Sequence, residues 1–513
     1  MRRFTILSAL SVLLFTGCYK DLSTEATTTL NDIVIAGLQD ELFVLFGETI
    51  SLKAKVWEDG REDSDFSYLW EIDLVPNNSH YDRLELGTDL SLEYKVGNTP
   101  STVPYNLIFT VTDKVSGRRA FKLIKVNVSS SLGEGLLVAY TRDGGVTSEF
   151  DLLSNSFVTY GYQESTPRYA RELYQTANGE KFEGKVNAMI SRLCTSGAVY
   201  SESWITVGTD EHIINIDPLT FERAKQDAEL FNMGSAPSYR TTALYNGCGY
   251  QTAAVIGGEV YTCVTHTSNM FSKNYYGGSP ADIFGPENFA IGLNSQSPYA
   301  AFDPNTGLFS YVIGPFAGQQ GFSQHNYTPD VDLKGATPIF AGAFAAGSVA
   351  MFLKDVSGKY HVYVSPMHST PIDDHFSFES ADLDKAKYFT FCDNTSIMYA
   401  ASDDTIWAVL LNGVGATVRK VTWSPDSPQE IITGIQHYKQ AWWGTRQFVS
   451  AMDYGYALPT HQLQIIITTY NPSTKEGKIY LRPFNVASGL FTMKNNGTYG
   501  GFGEILCISP TFR

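Results

Sequence analysis

From residue 134 to residue 513 the chain shows scarcely one amphipathic helical pattern, and strand-like runs follow one another with turn chemistry between them. The clearest runs are Gly135 to Thr141, Trp204 to Val207, His212 to Ile216, Glu259 to Thr265, Tyr299 to Phe302 and Ser348 to Leu353. Tyr360 to Val364, Ile397 to Ala400, Thr405 to Leu411, Leu463 to Tyr470, Lys478 to Arg482 and Glu504 to Ile508 continue the series. One turn recurs among them, an apolar residue followed by Asp or Asn, Pro, any residue and Thr: Phe302-Asp303-Pro304-Asn305-Thr306, Tyr470-Asn471-Pro472-Ser473-Thr474 and Ile216-Asp217-Pro218-Leu219-Thr220. Pro fixes φ at the second turn position while the Asx side chain bonds back to the backbone, which is hairpin chemistry. Phe150-Asp151-Leu152-Leu153-Ser154 and the stretch Phe484 to Gly489 read as looser relatives of that turn. Four-stranded units of about 40 to 50 residues repeated through an all-β region predict a β-propeller. Its length divides into seven or eight blades, and the long loops favour seven. Pairing of Gly503 to Pro510 beside Gly135 to Thr141 would close the ring.

Between Ile33 and Val128 the pattern is shorter and alternating. Ile33 to Ile35, Glu48 to Ala54, Tyr68 to Ile72, Ser91 to Tyr94, Tyr105 to Thr112 and Ala120 to Val128 each fit a strand, and so many strands in so few residues predict a β-sandwich. Trp57 and Trp70 read as core aromatics. Tyr68-x-Trp70, together with Tyr105-x-Leu107-x-Phe109-x-Val111-x-Asp113 before a turn at Ser116-Gly117, resembles the PKD-type immunoglobulin-like domain. The small polar stretch Ser129 to Gly133 marks the boundary, so the chain is read as a sandwich over 32–130 and a propeller over 131–513.

Arg2, Arg3, the apolar run Ile6 to Phe15 and Gly17-Cys18 open the chain. A membrane span needs about 20 apolar residues, so this run reads instead as an export signal over 1–17. With Cys18 at the cleavage point the pattern resembles the lipobox of bacterial lipoproteins, with Phe15 three positions before the cysteine and Leu14 one step further back. That resemblance implies lipidation of Cys18, followed by a flexible tether over 18–31. Tyr19-Lys20-Asp21 just behind it is similar to the signal that sends Bacteroidetes lipoproteins to the outer face of the outer membrane. The whole order, lipobox, PKD-like sandwich and a propeller opened by Gly135-Leu136-Leu137-Val138-Ala139-Tyr140, is similar to the PKD-like lipoproteins of Bacteroidetes. The resemblance implies a setting beside SusC/SusD-type outer-membrane uptake systems, with the transporter complex as partner.

The net charge of −16 is spread without blocks of like charge, and no basic stripe exists to neutralise phosphates, so nucleic acid is excluded as a natural partner. Cys194, Cys248, Cys263, Cys392 and Cys507 are far apart and form no CxxC or Cys/His spacing for zinc. Cys248 and Cys263 are read either as a disulfide or as buried thiols. Gly-x-Ser-x-Gly, HExxH, P-loop and EF-hand patterns do not occur, and the sequence implies neither a catalytic residue nor a metal or cofactor. The acidic cluster Asp373, Asp374, His375, Glu379, Asp382 and Asp384 reads as a solvated loop, with Ca²⁺ as the alternative, and His266 and His325 stand alone.

Two aromatic stretches are the candidates for ligand binding. Phe271, Tyr275, Tyr276 and Phe284 lie among Asn, Ser, Gly and Pro in a long connection, and Trp442-Trp443 follow Gln440-Ala441. Flat aromatic faces beside amide and hydroxyl groups suit sugar rings or extended peptide. The expected function is therefore capture of an extracellular glycan or peptide by a surface lipoprotein, with the sandwich as spacer. The alternatives are a glycan- or peptide-degrading enzyme with carboxylates in the propeller funnel, and a purely structural subunit of the uptake complex.

Overall fold

The computed structural model describes residues 32–58, 65–76, 82–98, 103–129, 134–160, 162–196, 200–231, 238–246, 251–264, 270–273, 283–292, 299–313, 321–324, 329–365, 374–440 and 458–511. The chain forms two compact units, Met1–Ser131 and Leu132–Arg513. Among the described residues no helix is long and apolar enough to cross a membrane.

The first unit is a β-sandwich. Its main sheet runs β2 (Glu41–Leu45), β9 (Arg119–Ser129), β8 (Tyr105–Asp113), β5 (Phe66–Asp73) and β6 (Arg83–Gly87), with β2 parallel to β9 and the other pairs antiparallel. Two small sheets, β3 (Thr49–Lys53) with β7 (Ser91–Lys95) and β1 (Val34–Ala36) with β4 (Lys55–Trp57), complete it. Alternation on β8 sends Leu107, Phe109 and Val111 inward, where they meet Ile50, Leu92 and Trp70. Trp70 is fully buried, its ring 4.3 Å from that of Phe109, and its indole N–H donates to the Asp89 carbonyl at 2.8 Å. Trp57 departs from the sequence reading: it is 46% exposed, because three-residue β4 turns only Val56 toward the core. Asp113 shapes the β8–β9 hairpin by accepting from the backbone N–H of Val115 and the hydroxyl of Ser116, which brings Gly117 to φ +70°.

The second unit is a seven-bladed β-propeller. Blade 1 carries β10 (Gly135–Thr141), β11 (Thr147–Ser154) and β12 (Arg168–Ala170), and its innermost strand is β38 (Glu504–Thr511). Blade 2 holds β14 (Val186–Ser196), β15 (Tyr200–Thr209), β16 (Ile213–Ile216) and β17 (Arg223–Gln226). Blade 3 holds β18 (Thr241–Asn246), β19 (Gln251–Ile256), β20 (Glu259–Val264) and β21 (Ser272–Lys273). Blade 4 holds β22 (Phe289–Ile291), β23 (Tyr299–Asp303), β24 (Leu308–Ile313) and β25 (Gly321–Gln324). Blade 5 holds β26 (Thr337–Phe344), β27 (Ser348–Lys354), β28 (Tyr360–Ser365) and β29 (Asp374–Phe378). Blade 6 holds β30 (Tyr388–Phe391), β31 (Ile397–Ala401), β32 (Ile406–Asn412) and β33 (Gly415–Val421). Blade 7 holds β34 (Ile431–His437), β35 (Gln464–Asn471), β36 (Glu476–Pro483) and β37 (Thr498–Phe502). A short strand β13 (Phe182–Glu183) pairs with β11, and the helix α1 (Leu173–Asn178) lies between β12 and β13.

First strands touch in order round the ring, β38 to β14, β18, β22, β26, β30, β34 and back to β38, so they surround the axis. The chain closes that ring as the sequence reading anticipates, β10 pairing antiparallel with β38 from Gly135 opposite Thr511 to Thr141 opposite Glu504. Each gap between blades holds one apolar cluster. On β35, Ile465 and Ile467 face blade 6 while Ile466 faces blade 1, so the strand is covered on both sides and reads as an unbroken apolar run. Full burial of one such side chain stabilises the ring by about 1.5–3 kcal/mol.

The three Asx-Pro turns share one geometry. Asp303, Asn471 and Asp217 accept side-chain hydrogen bonds from the backbone N–H two residues on, and their own carbonyls accept at 2.8 Å from Gly307, Lys475 and Phe221, each at positive φ. Asn485 repeats the arrangement with Gly489, whereas Phe150 to Ser154 does not. That stretch lies inside strand β11, because Asp151 is fully buried and paired with Arg171 rather than turning the chain.

Candidate functional site

In a four-stranded antiparallel blade, the first-to-second and third-to-fourth turns emerge on one face, and the second-to-third turns and blade links on the other. The Asp303 and Asn471 turns join second to third strands, while Asp217 and Asn485 join third to fourth, so one sequence motif serves both faces.

At the axis on the first-to-second face, the neighbouring inner strands β30 and β34 end beside one another. Just past β30 stands Asp393, and β34 ends on His437, followed by Lys439 and Gln440. The Asp393 carboxylate lies 3.3 Å from His437 Nδ1 and 3.1 Å from Lys439 Nζ, and it accepts from Gln462 Nε2 at 2.8 Å. Burial opposes its ionisation, yet the His437 hydrogen bond and the Lys439 charge outweigh that cost and hold its carboxyl well below the usual range. His461 Nδ1 accepts the Gln440 backbone N–H at 3.2 Å, which puts the proton of the neutral ring on Nε2. Burial first, and then the Lys439 charge, push His461 down to about 4. Gln440 is clamped from below: its Nε2 donates to Glu134 at 2.6 Å and its Oε1 accepts the Leu458 backbone N–H at 2.9 Å. The outcome is a half-open rim on which Lys439, with its side chain 31% exposed, and the His461 Nε2–H offer donors on a rigid base.

A second polar group sits in blade 5. His361 Nε2 meets Asp355 at 3.0 Å and its Nδ1 meets His375 Nε2 at 2.9 Å, while the His375 ring stacks on Tyr363 at 4.2 Å. Asp355 also accepts from Ser357 and the backbone N–H of Lys359, so this chain pins the β27–β28 turn.

The sequence-derived candidates fare differently. Phe271 and Phe284 are core residues, 0% and 5% exposed, so neither offers a platform to ligand. Phe271 packs between blades 2 and 3 with Phe231 and Tyr261, and Phe284 meets Phe289. Tyr275, Tyr276, Trp442, Trp443, Cys18, His266, His325, Asp373 and Cys248 lie outside the described residues, and Cys194 stands on β14 opposite Glu202. The strand ends bounding the two aromatic stretches lie on opposite faces: β21 to β22 is a blade link, whereas β34 to β35 is a first-to-second turn. Cys263 is a buried free thiol. In the acidic cluster, Asp384 is tied to Lys354 at 2.6 Å and to the Tyr360 hydroxyl at 2.5 Å, and no metal-holding group of His, Cys, Asp or Glu occurs among the described residues. Sequence reasoning missed Asp393, His437, Lys439 and His461; the only local signal is His437-x-Lys439-Gln440 directly ahead of Trp442-Trp443.

Residues 18–185 match the PKD-like family. The PKD-like match takes in the sandwich and the opening strands of blade 1, and the rest of the propeller lies beyond it. No curated protein matches the chain. Among solved structures, a quinonprotein alcohol dehydrogenase-like protein from Bacteroides thetaiotaomicron is 12% identical, with 94% of this chain and 99% of that one covered at a TM-score of 0.41. Apo AztD from Citrobacter koseri is 9% identical over 87% of this chain and 98% of that one, at 0.39. Hsv2p from Kluyveromyces lactis is 9% identical over 71% and 98%, at 0.34. Likenesses at these values say nothing about what this chain binds; its fold rests on its own strand order.

Proposed function

We propose that the chain is an outer-membrane lipoprotein, anchored through Cys18 and facing the cell exterior, whose propeller captures glycan or peptide as an accessory subunit of a SusC/SusD-type uptake complex. The lipobox-like residues and a PKD-like match that starts at Cys18 support the anchor. The observation that carries the capture reading is the rim of Lys439 and His461 at the axis, on the strand end that runs directly into the Trp442-Trp443 stretch. A general acid or base works best with a pKa near the working pH. Asp393 is held far below neutrality and His461 sits at about 4, so the rim is built to donate hydrogen bonds rather than to move protons. Glu149 is raised to about 7 by burial, but it is 2% exposed and its oxygens accept the backbone N–H groups of Phe150, Tyr174 and Gln175. Weak intrinsic affinity suffices in this setting, because a tether raises the effective concentration.

The test is a binding screen of the purified protein against glycan and peptide mixtures, with the recovered material analysed for cleavage. Capture predicts intact ligand, with affinity lowered by about tenfold or more in Lys439→Met, the size of one lost charge-assisted hydrogen bond, and by about two- to tenfold in His461→Ala, which loses a neutral one. Cleaved products would replace this reading with an enzyme. Neither binding nor cleavage would leave a docking subunit.

A further inference from the structure

Arg192 stands on the inner strand β14 and points between blades 2 and 3, into the cluster built by Ala188, Leu244, Tyr261, Cys263 and Phe271. The residue is 1% exposed. Its Nη1 reaches Cys263 Sγ at 3.5 Å, and the guanidinium carbon lies 5.4 Å from the centre of the Phe271 ring. Its Nε and Nη2 are buried with no acceptor.

A buried cation without a counter-charge is among the costliest arrangements a protein core can hold. The ring face of Phe271 offsets part of that cost. Cys263 cannot supply the missing charge, since burial raises its thiol above the usual range despite the pull of Arg192 and keeps it protonated. The two orphaned donors are also a particular pair. Nε–H and Nη2–H run parallel along one edge of the guanidinium plane, the edge that a carboxylate takes with two hydrogen bonds at once. A single water oxygen meets the two prongs only through bent hydrogen bonds and brings no counter-charge, whereas a carboxylate offers one oxygen in line with each N–H.

We propose that the Arg192 fork is the anchor of a carboxylate-binding site between blades 2 and 3, filled by the acidic group of a glycan or peptide ligand. The site stands on residues apart from the Lys439–His461 rim and does not depend on the reading given to that rim. Around it β14 passes Arg192 toward its end and β20 ends just past Cys263, both on the first-to-second face, so the fork lies near that mouth of the ring.

Thermal unfolding of the purified full chain, at constant ionic strength set with chloride, reads the site directly. The probes are sodium acetate, sodium glucuronate and sodium phosphate. The expected result is a saturable rise in Tm with acetate and glucuronate, at least about tenfold weaker in Arg192→Lys, which keeps the charge but loses the fork, and absent in Arg192→Met. In chloride alone Arg192→Met unfolds no earlier than the parent, because it removes an unpaired buried charge. A parent protein blind to both carboxylates, a response confined to phosphate, or an Arg192→Met variant that responds like the parent would overturn the proposal. So would early unfolding of Arg192→Met in chloride, which would mean that an acid of the chain itself fills the fork.

Discussion

The Arg171 guanidinium lies 2.6 Å from the fully buried carboxylate of Asp151 and 4.1 Å from the ring centre of Tyr169. It also donates toward the Gly500 and Gly501 carbonyls of β37, so one side chain ties the third strand of blade 1 to the fourth strand of blade 7 beside the closure. Arg171→Met strands Asp151 with only the Tyr140 hydroxyl and the Glu172 backbone N–H. Removing one partner of a buried ion pair costs about 3–5 kcal/mol, and the 38% exposure of Arg171 reduces this to about 1–3 kcal/mol. Denaturant unfolding of the variant measures it, and an unchanged midpoint would count against the tie.

Gly503 and Gly477 are set by close approach. A Cβ on Gly503 would stand 2.0 Å from the Thr141 carbonyl oxygen, and one on Gly477 would stand 2.0 Å from that of Gly503. Both obstacles are backbone, which cannot rotate away. Gly503→Ala therefore forces β38 off β10 and is expected to lower stability by more than about 2 kcal/mol, in the range of overpacked sites. Gly117→Ala in the sandwich hairpin meets open space and strains only φ, at about 1 kcal/mol, and makes a suitable control.

Acid weakens the fold through two imidazoles. Burial pushes both His375 and His461 down to about 4, from 6.5 in the unfolded chain. Between those values the unfolded state binds more protons, so the contribution is complete above about pH 6.5 and is lost as pH falls toward 4. Glu149, raised to about 7, acts in the opposite sense by favouring the folded state as pH falls from 7 toward 4.5. Two groups outweigh one, so Tm is expected to decline from pH 6.5 to 4, and less steeply in the double variant His375→Gln, His461→Gln. Parallel curves for parent and variant would refute the assignment.

Cys263 and Cys392 are buried, and burial raises both thiols above the usual range. Alkylation at pH 8 followed by peptide mass analysis is expected to leave both unmodified in native protein and to label them after unfolding. Rapid native labelling of either would show that its blade interface opens.

The strands visible in sequence are nearly all second and third strands of blades, such as β27, β28, β31, β32, β35 and β36. These are covered by neighbouring blades on both faces and so carry continuous apolar runs. Some fourth strands are wet: β17 has three exposed residues of four, and β33 keeps only Val421 buried. Inner strands such as β34 mix buried Ile432 and Ile435 with half-buried Thr433 and Gly434, which erases a period-2 signal. The Asx-Pro turns were legible because their chemistry is local. Asp393, His437 and His461 were not, since strands of two blades are needed to bring them together and no short window contains them. Phe271 misled for a related reason: aromatic residues in a polar neighbourhood look like a ligand face, and only the partner blade shows that one of them is core.

The pairing of Gly135 with Thr511 has a consequence for how the protein is made. The propeller becomes a ring only when strands separated by almost the whole unit meet, so blade 1 must wait, with β10 lacking its inner neighbour, until the segment around Thr511 has been delivered. Translation thus runs ahead of closure. A chain broken off before residue 504 would keep its blades but leave the edge of β10 bare, open to proteases and to other chains. Pairing of β38 with β10 thereby covers an edge that any fragment lacking residues 504–511 would leave exposed.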